Sequence, residues 1–342
     1  MIEEYPFQPN PFGDEEIGAE KSLRPACLEE FIGQHRVVEN LRIAIEAARA
    51  RGEVLDHVLL SGLPGLGKTT LAFLIASALE VDIHCASGPS LQRGKDVLGL
   101  LTALKRGDVL FIDEIHRISS ETEEYLYSAM EDFKVDVVVD RGPDARSFRI
   151  SIEPFTLAGA TTREGLLSAP FRSRFGIVEK LEIYPAQDLL EIIRRSARIL
   201  GCSVGEKAGR LLAERCRGTP RYANRFLRRI RDVAQFRAGW DSKDRQPLEL
   251  KETFVSEGLE RLGIDENGLD RVDRKILDIL FSQDEPVGVK TIAISVGEEE
   301  RTIEDVYEPY LIQKGMVVKT PRGRRPTFLA YERYRPDKII TS

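Results

Sequence analysis

The chain has 342 residues, 42% of them hydrophobic and 31% charged, with a formal net charge of −6; that length and balance exclude a disordered chain and predict two or three domains with real cores. No apolar run is long enough to span a membrane, and the acidic stretch 1–19 lacks the apolar core of a secretory leader. Cys27, Cys85, Cys202 and Cys216 are scattered without a Cys-x-x-Cys pair, which argues against a disulfide framework or a zinc site and leaves a reduced, cytoplasmic setting with no membrane partner as the expectation.

Charge is unevenly distributed. Residues 1–33 hold eight acids against Lys21 and Arg24, residues 206–237 hold ten Lys/Arg against three acids, and residues 310–335 hold seven Lys/Arg against Glu332. Two basic patches on an acidic chain mark places where anions are handled, although a solvated face produces the same composition.

In chain order, residues 1–22 form an acidic, Pro-containing arm. Helical spacing of apolar residues runs from Val37 to Arg51 and stops at Gly52. His57–Leu60 reads as a buried strand leading into Gly62-Leu-Pro-Gly-Leu-Gly67-Lys68-Thr69, which fits G-x-x-x-x-G-K-[ST] between a strand and the apolar helix Leu71–Leu79. Glycines there let successive backbone N–H groups face phosphate, and the following helix N-terminus adds partial positive charge. Lys68 is placed to reach β- and γ-phosphates, and the Thr69 hydroxyl to ligate Mg²⁺.

Val109–Ile112 is a second apolar strand, ending in Asp113 and Glu114; one carboxylate suits the metal and the other an attacking water, the chemistry of nucleotide hydrolysis. Val135–Asp140 and Ser147–Ile152 alternate around Arg141-Gly-Pro-Asp144, a hairpin pattern. A third strand, Phe155–Ala160, ends in Thr161-Thr162-Arg163, where a hydroxyl could hold the water. Alternating strands and helices predict a parallel sheet covered on both faces.

Arg172 and Arg174 sit between Phe171 and Phe175, in a loop from which an arginine could reach a phosphoryl group in a neighbouring copy. After Pro185 the pattern is helical, and Gly218-Thr-Pro-Arg221 starts a helix that aims Arg221 back at the nucleotide. Arg225, Arg228 and Arg229 follow; solvated face, acid-binding surface and DNA-facing channel all remain open for them. His35, His57, His84 and His116 have no metal-ligand spacing, and there is no internal repeat. From Asp270 three helices precede two wing strands, expected at Met316–Thr320 and Thr327–Tyr331 around a flexible Gly323. Lys319, Arg322, Arg324 and Arg325 are the basic residues of this wing, which suits phosphate contact rather than base readout.

Taken together, Leu23-Arg24-Pro25, Phe31-Ile-Gly-Gln34, the phosphate loop, Gly107–His116, Gly159–Arg163, Arg172–Gly176, Gly218–Arg225, Ile303–Ile312 and Thr320–Arg324 resemble the RuvB family of AAA+ ATPases, from about Leu23 to Tyr331. The resemblance implies an α/β P-loop domain at 23–184, a small all-α lid at 185–256 and a winged-helix head at 257–342. It implies an ATP-dependent motor driving Holliday-junction branch migration in recombination and repair. Its ligands would be ATP and Mg²⁺, and its partners a homohexamer, RuvA on hairpin 135–152, junction and duplex DNA, and the RuvC resolvase in the same complex. By position, Leu23, Arg24, Gly65, Lys68, Thr69, Thr70, Glu131, Asp132, Phe133, Arg174, Tyr184 and Arg221 match nucleotide contacts. Thr69 and Asp113 match the metal site. Lys68, Asp113, Glu114, the first sensor Thr161 and the finger Arg172 match the catalytic set, and Lys319, Arg322 and Arg324 match DNA contacts. Leu63 and Lys319 depart from the usual proline and arginine. A clamp-loader-like or protein-remodelling AAA+ ATPase is the rival reading.

Overall fold

The structure, a computed structural model, describes residues 23–138, 147–240 and 247–336; the acidic arm and the expected Arg141–Asp144 turn lie outside them. At its centre is a five-stranded parallel sheet in the order β2-β3-β6-β1-β7: β1 (Val58–Ser61), β2 (Ile83–Ser87), β3 (Val109–Asp113), β6 (Thr156–Thr161) and β7 (Ile177–Lys180). The three inner strands are the three apolar runs of the sequence. Edge strands β2 and β7 carry half-exposed polar residues, which hides their strand character.

Helices cover both faces. On one lie α1 (His35–Arg51) and α2 (Lys68–Leu79), whose apolar sides share a core with the helical unit that follows the sheet. On the other lie α3 (Gly94–Ala103), α4 (Ser120–Asp132) and the short α5 (Ala169–Arg172), packed through Leu101, Leu126, Phe155 and Phe171. A separate antiparallel hairpin, β4 (Lys134–Val138) with β5 (Ser147–Ser151), leaves the end of α4, with Phe148 52% exposed.

The helical unit consists of α6 (Ala186–Ile199), α7 (Glu206–Arg215), α8 (Pro220–Ala238) and α9 (Glu252–Arg261), with a small parallel pair of β8 (Cys202–Val204) and β9 (Leu248–Leu250). Helix α9 crosses the boundary expected at 256/257. A Cβ on its Gly258 would lie 2.5 Å from Ile230 of α8, so residues up to Arg261 pack with this unit.

The head has its own core around Ile276, Leu280, Leu311 and Met316. It contains α10 (Arg271–Phe281), α11 (Val289–Val296), α12 (Glu300–Thr302), a π-type turn at Ile303–Tyr307 and α13 (Glu308–Gln313). The wing differs from the expectation. β10 (Val317–Thr320) returns immediately as β11 (Gly323–Pro326), and Thr327 caps a terminal helix, α14 (Phe328–Tyr334), so Thr327–Tyr331 is not a strand. Gly323 is not a flexible tip either. Its φ is +146°, a Cβ would meet the Val287 carbonyl oxygen at 2.5 Å, and the adjacent Arg324 exchanges two 2.8 Å backbone hydrogen bonds with Val287.

Candidate functional site

The phosphate loop leaves β1 at the C-terminal end of the sheet, where an open α/β sheet holds ligands. Gly62, Gly65 and Gly67 take φ of +139°, +81° and +103°. Side chains there would strike the Leu181 carbonyl at 2.7 Å, Arg221 at 2.9 Å and Phe31 at 3.0 Å, so the loop is a backbone cradle walled by its neighbours. Lys68 is 6% exposed, and its ammonium donates to the carbonyls of Gly62 (2.7 Å) and Leu63 (2.9 Å). Burial lowers its pKa to about 8, against the opposing pull of Glu114 and Asp113.

Asp113 ends β3, and Glu114 follows it at φ +49°. Burial, with Asp113 beside it, raises the Glu114 pKa above the ordinary carboxylate value. The Thr162 hydroxyl donates to Glu114 Oε2 at 3.2 Å, and His116 Nδ1 lies at the same distance from that oxygen. Burial also lowers the His116 pKa, which keeps the ring neutral near pH 7. The expected first sensor, Thr161, is fully buried; its hydroxyl meets His116 Nδ1 at 2.9 Å and accepts from the Arg163 N–H at 3.0 Å. Thr162, not Thr161, is the hydroxyl that touches the carboxylate.

Several expected contacts gather here. Leu23 is buried, and the carbonyls of Leu23 and Arg24 accept from Arg195 of α6 at 2.8 and 3.2 Å. The Arg24 guanidinium lies 5.7 Å from the Phe73 ring on α2. The buried Tyr184 hydroxyl donates to the Leu66 carbonyl at 3.1 Å, and its ring closes on Gly33. Thr69 and Thr70 occupy the first turn of α2, and Arg221, on the first turn of α8, packs against Gly65. Phe31 was missed by sequence reasoning; its contact with Gly67 adds an aromatic wall, and its motif alone carried no such signal.

A second group stays apart. Helix α4 runs back against the strands, so its end lies at their N-terminal edge. Met130 accepts from His57 (3.3 Å), which precedes β1, and Phe133 stacks edge-on against Phe155, which precedes β6. His57 stands five residues before Gly62, about 17 Å of extended strand from the phosphate loop. Glu131 pairs with Arg174 at 2.7 Å, with the Arg174 guanidinium over the Tyr127 ring. Arg172, 49% exposed, pairs with Glu164 at 3.6 Å on the sheet face opposite α2. Within one chain, Glu131, Asp132, Phe133 and Arg174 therefore lie away from the nucleotide cradle.

In the wing, Lys319 and Arg322 are exposed, as is Arg325. Arg324 is 7% exposed and turned inward, donating to Glu308 (2.6 and 2.9 Å) and Glu304 (3.2 Å), so it braces the hairpin instead of presenting charge outward.

Among the described residues no three His, Cys, Asp or Glu side chains gather as a metal cage. The Thr69 hydroxyl and Asp113 carboxylate beside a phosphate cradle nevertheless fit Mg²⁺, which keeps several waters and shares its shell with phosphates. No helix among the described residues is long and apolar enough to cross a membrane.

Comparison with known proteins agrees along the whole described chain. Three family descriptions match in series: Holliday junction DNA helicase RuvB P-loop domain over residues 23–181, RuvB AAA lid domain over 184–265, and RuvB C-terminal winged helix domain over 266–335. The chain is 53% identical over 323 residues to the Holliday junction branch migration complex subunit RuvB of Myxococcus xanthus, covering 94% of this chain and 92% of that one. It is 52% identical over 322 residues to the Staphylococcus aureus protein of the same name, covering 94% of each. The solved Thermotoga maritima RuvB Holliday junction branch migration motor superposes with a TM-score of 0.81 at 48% identity, over 91% of this chain and 97% of that one. Cradle, carboxylate pair, helical lid and winged head thus occur in the order and proportions of one group of proteins: the chain belongs to the RuvB family of AAA+ ATPases.

Proposed function

We propose that this chain is an ATP-driven motor that moves DNA arms through a Holliday junction during recombination and repair. It would act as a ring of six copies in the cytoplasm, with RuvA docked on the β4–β5 hairpin and RuvC in the same complex. The observation that carries this reading is the meeting of hydrolytic machinery and DNA-binding head at one cleft. Pro64, Glu114 and Arg163 face Arg301, Thr302 and Asp305 across about 290 Å³.

In this reading the loop N–H groups and Lys68 bind the phosphates, while Leu23, Arg24 and Tyr184 enclose the rest of the nucleotide. Glu114 takes the proton of the attacking water, oriented by Thr162. Thr69 and Asp113 would hold Mg²⁺, which neutralises charge on the β- and γ-phosphoryl oxygens. Arg221 closes the lid on the loop. Arg172, with Arg174 and Glu131 behind it, is offered to the next copy's nucleotide. Lys319 and Arg322, joined by Arg325, contact DNA phosphates, and Arg324 acts through its hold on the hairpin. The boundaries between the three units are drawn near residues 184 and 262.

The test is steady-state ATP turnover by the chain alone, with duplex DNA, and with RuvA plus a four-way junction. Strong stimulation only with RuvA and junction together is expected. Equal turnover in all three conditions would overturn the motor reading and leave a remodelling ATPase that acts on protein.

A further inference from the structure

Arg163 connects two parts of the molecule far apart in sequence. Its backbone belongs to the nucleotide site: its N–H donates to Thr161 Oγ1 at 3.0 Å, and the adjacent Thr162 hydroxyl donates to Glu114 at 3.2 Å. Its side chain belongs to the head. Nε donates to Asp305 Oδ1 at 2.8 Å and a terminal nitrogen to Glu304 Oε2 at 3.1 Å. Both carboxylates sit in the π-type turn at Ile303–Tyr307, a rare conformation concentrated at functional sites.

The contact does not stop at Glu304. That carboxylate's other oxygen accepts from Arg324 at 3.2 Å; Arg324 also holds Glu308, and Glu308 holds Lys319 at 3.1 Å. Arg163, Glu304, Arg324, Glu308 and Lys319 form an unbroken line of alternating charge that runs to the exposed lysine of the wing from Arg163, the residue next to the Thr162 that donates to Glu114. The cleft beside it opens on Glu114 and Pro64 on one side and on Asp305 on the other. The carboxylate of the nucleotide site and the guanidinium that anchors the head thus line one and the same cleft.

We propose that Arg163 is a positioning residue through which nucleotide state and DNA affinity influence each other. When a γ-phosphate draws on the Arg163 cation, its hold on Asp305 and Glu304 weakens and the head is released; loss of that phosphate restores the anchor. By linkage, DNA on the wing changes nucleotide affinity by the same factor. The inference deepens the motor reading above and rests on it. A passive ion pair would stabilise the chain equally in every nucleotide state.

The experiment measures the Kd of the full chain for a fluorescent DNA duplex with ADP and with a non-hydrolysable ATP analogue, alongside ATP turnover. The ratio of the two Kd values is expected to depart from one by about fivefold or more in the unaltered chain, the usual scale of such coupling. Asp305→Asn and Arg163→Gln should each bring it within about twofold of one. Arg163→Lys, which keeps the cation, should retain part of the departure from one. Asp305→Asn or Arg163→Gln chains that fold, hydrolyse ATP and keep the original ratio would overturn the assignment. So would an unaltered chain with a ratio of one. A chain that hydrolyses no ATP and binds no DNA would instead refute the motor reading itself, so the two failures are distinguishable.

Discussion

A lysine enclosed by a glycine loop behaves differently from one on a surface. Burial brings the Lys68 pKa from 10.5 to about 8, so the ammonium of the free chain is lost as pH rises through 8. Phosphate favours the charged form and pulls that proton back. Nucleotide binding is therefore expected to take up protons between about pH 8 and 9 and to weaken across that range. Calorimetry in two buffers of different ionisation enthalpy checks this, and an uptake of zero would refute it. Glu114 shifts the other way. Its raised pKa means that the proton-accepting carboxylate is lost as pH falls while ordinary carboxylates remain ionised. Turnover should fall on an acid limb above pH 4.5. Glu114→Gln should lower turnover by at least about a hundredfold with nucleotide affinity kept, as measured by single-turnover kinetics and titration. These residues were legible in the sequence because their chemistry fixes their spacing. The roles of Thr161 and Thr162 were not, because two adjacent hydroxyls at a strand end differ only in which face each one meets. Arg324 was misplaced for a similar reason: in a basic hairpin every cation reads as DNA-facing until the alternation of β11 turns one of them onto Glu304 and Glu308.

At the scale of elements, three buried strands announce themselves as continuous apolar runs, whereas edge strands β2 and β7, with half-exposed and polar positions, carry no such run. The wing was displaced by four residues because Thr327 was read as a strand residue when its hydroxyl caps α14. What holds the shorter wing is the close approach of Gly323 to Val287. Gly323→Ala combines an unfavourable φ with a backbone clash and is expected to destabilise the head by about 1–3 kcal/mol. A lowered melting transition would register it, and an unchanged one would mean that the hairpin is free to shift. The exposed wing cations carry a different expectation. Replacing Lys319 and Arg322 by Gln should make the dependence of DNA affinity on salt shallower by about two in log–log slope; an unchanged slope would remove the wing from the DNA interface.

For the whole molecule, the junction between helical unit and head is a buried cation. Arg217 is 4% exposed, pairs with Asp273 and, at 2.7 Å, with Asp270, and is flanked by the rings of Tyr222 and Tyr310 at 4.9 Å each. Burial raises the Asp273 pKa to about 7 even so. Folding therefore binds a proton there, and this group's contribution to stability is lost as pH climbs from about 4 toward 7. Arg217→Met strands a carboxylate and should cost about 3–5 kcal/mol, most of it recovered by adding Asp273→Leu. Denaturant midpoints of the two variants decide it. This joint was invisible in the sequence, since nothing local marks Arg217 as different from its arginine-rich neighbours.

The separation of Arg172, Arg174 and Glu131 from the phosphate cradle has a consequence for inheritance. In the proposed ring a chain lacking Arg172 keeps a complete cradle of its own and spoils its neighbour's. Arg172→Ala protein mixed with Glu114→Gln protein should regain partial turnover, at junctions where an intact cradle meets an intact arginine; no recovery at any ratio would refute the arrangement. In a cell holding both normal and altered copies, the damage would fall on healthy subunits, so an Arg172 lesion should behave as dominant even though the altered chain folds and binds nucleotide normally.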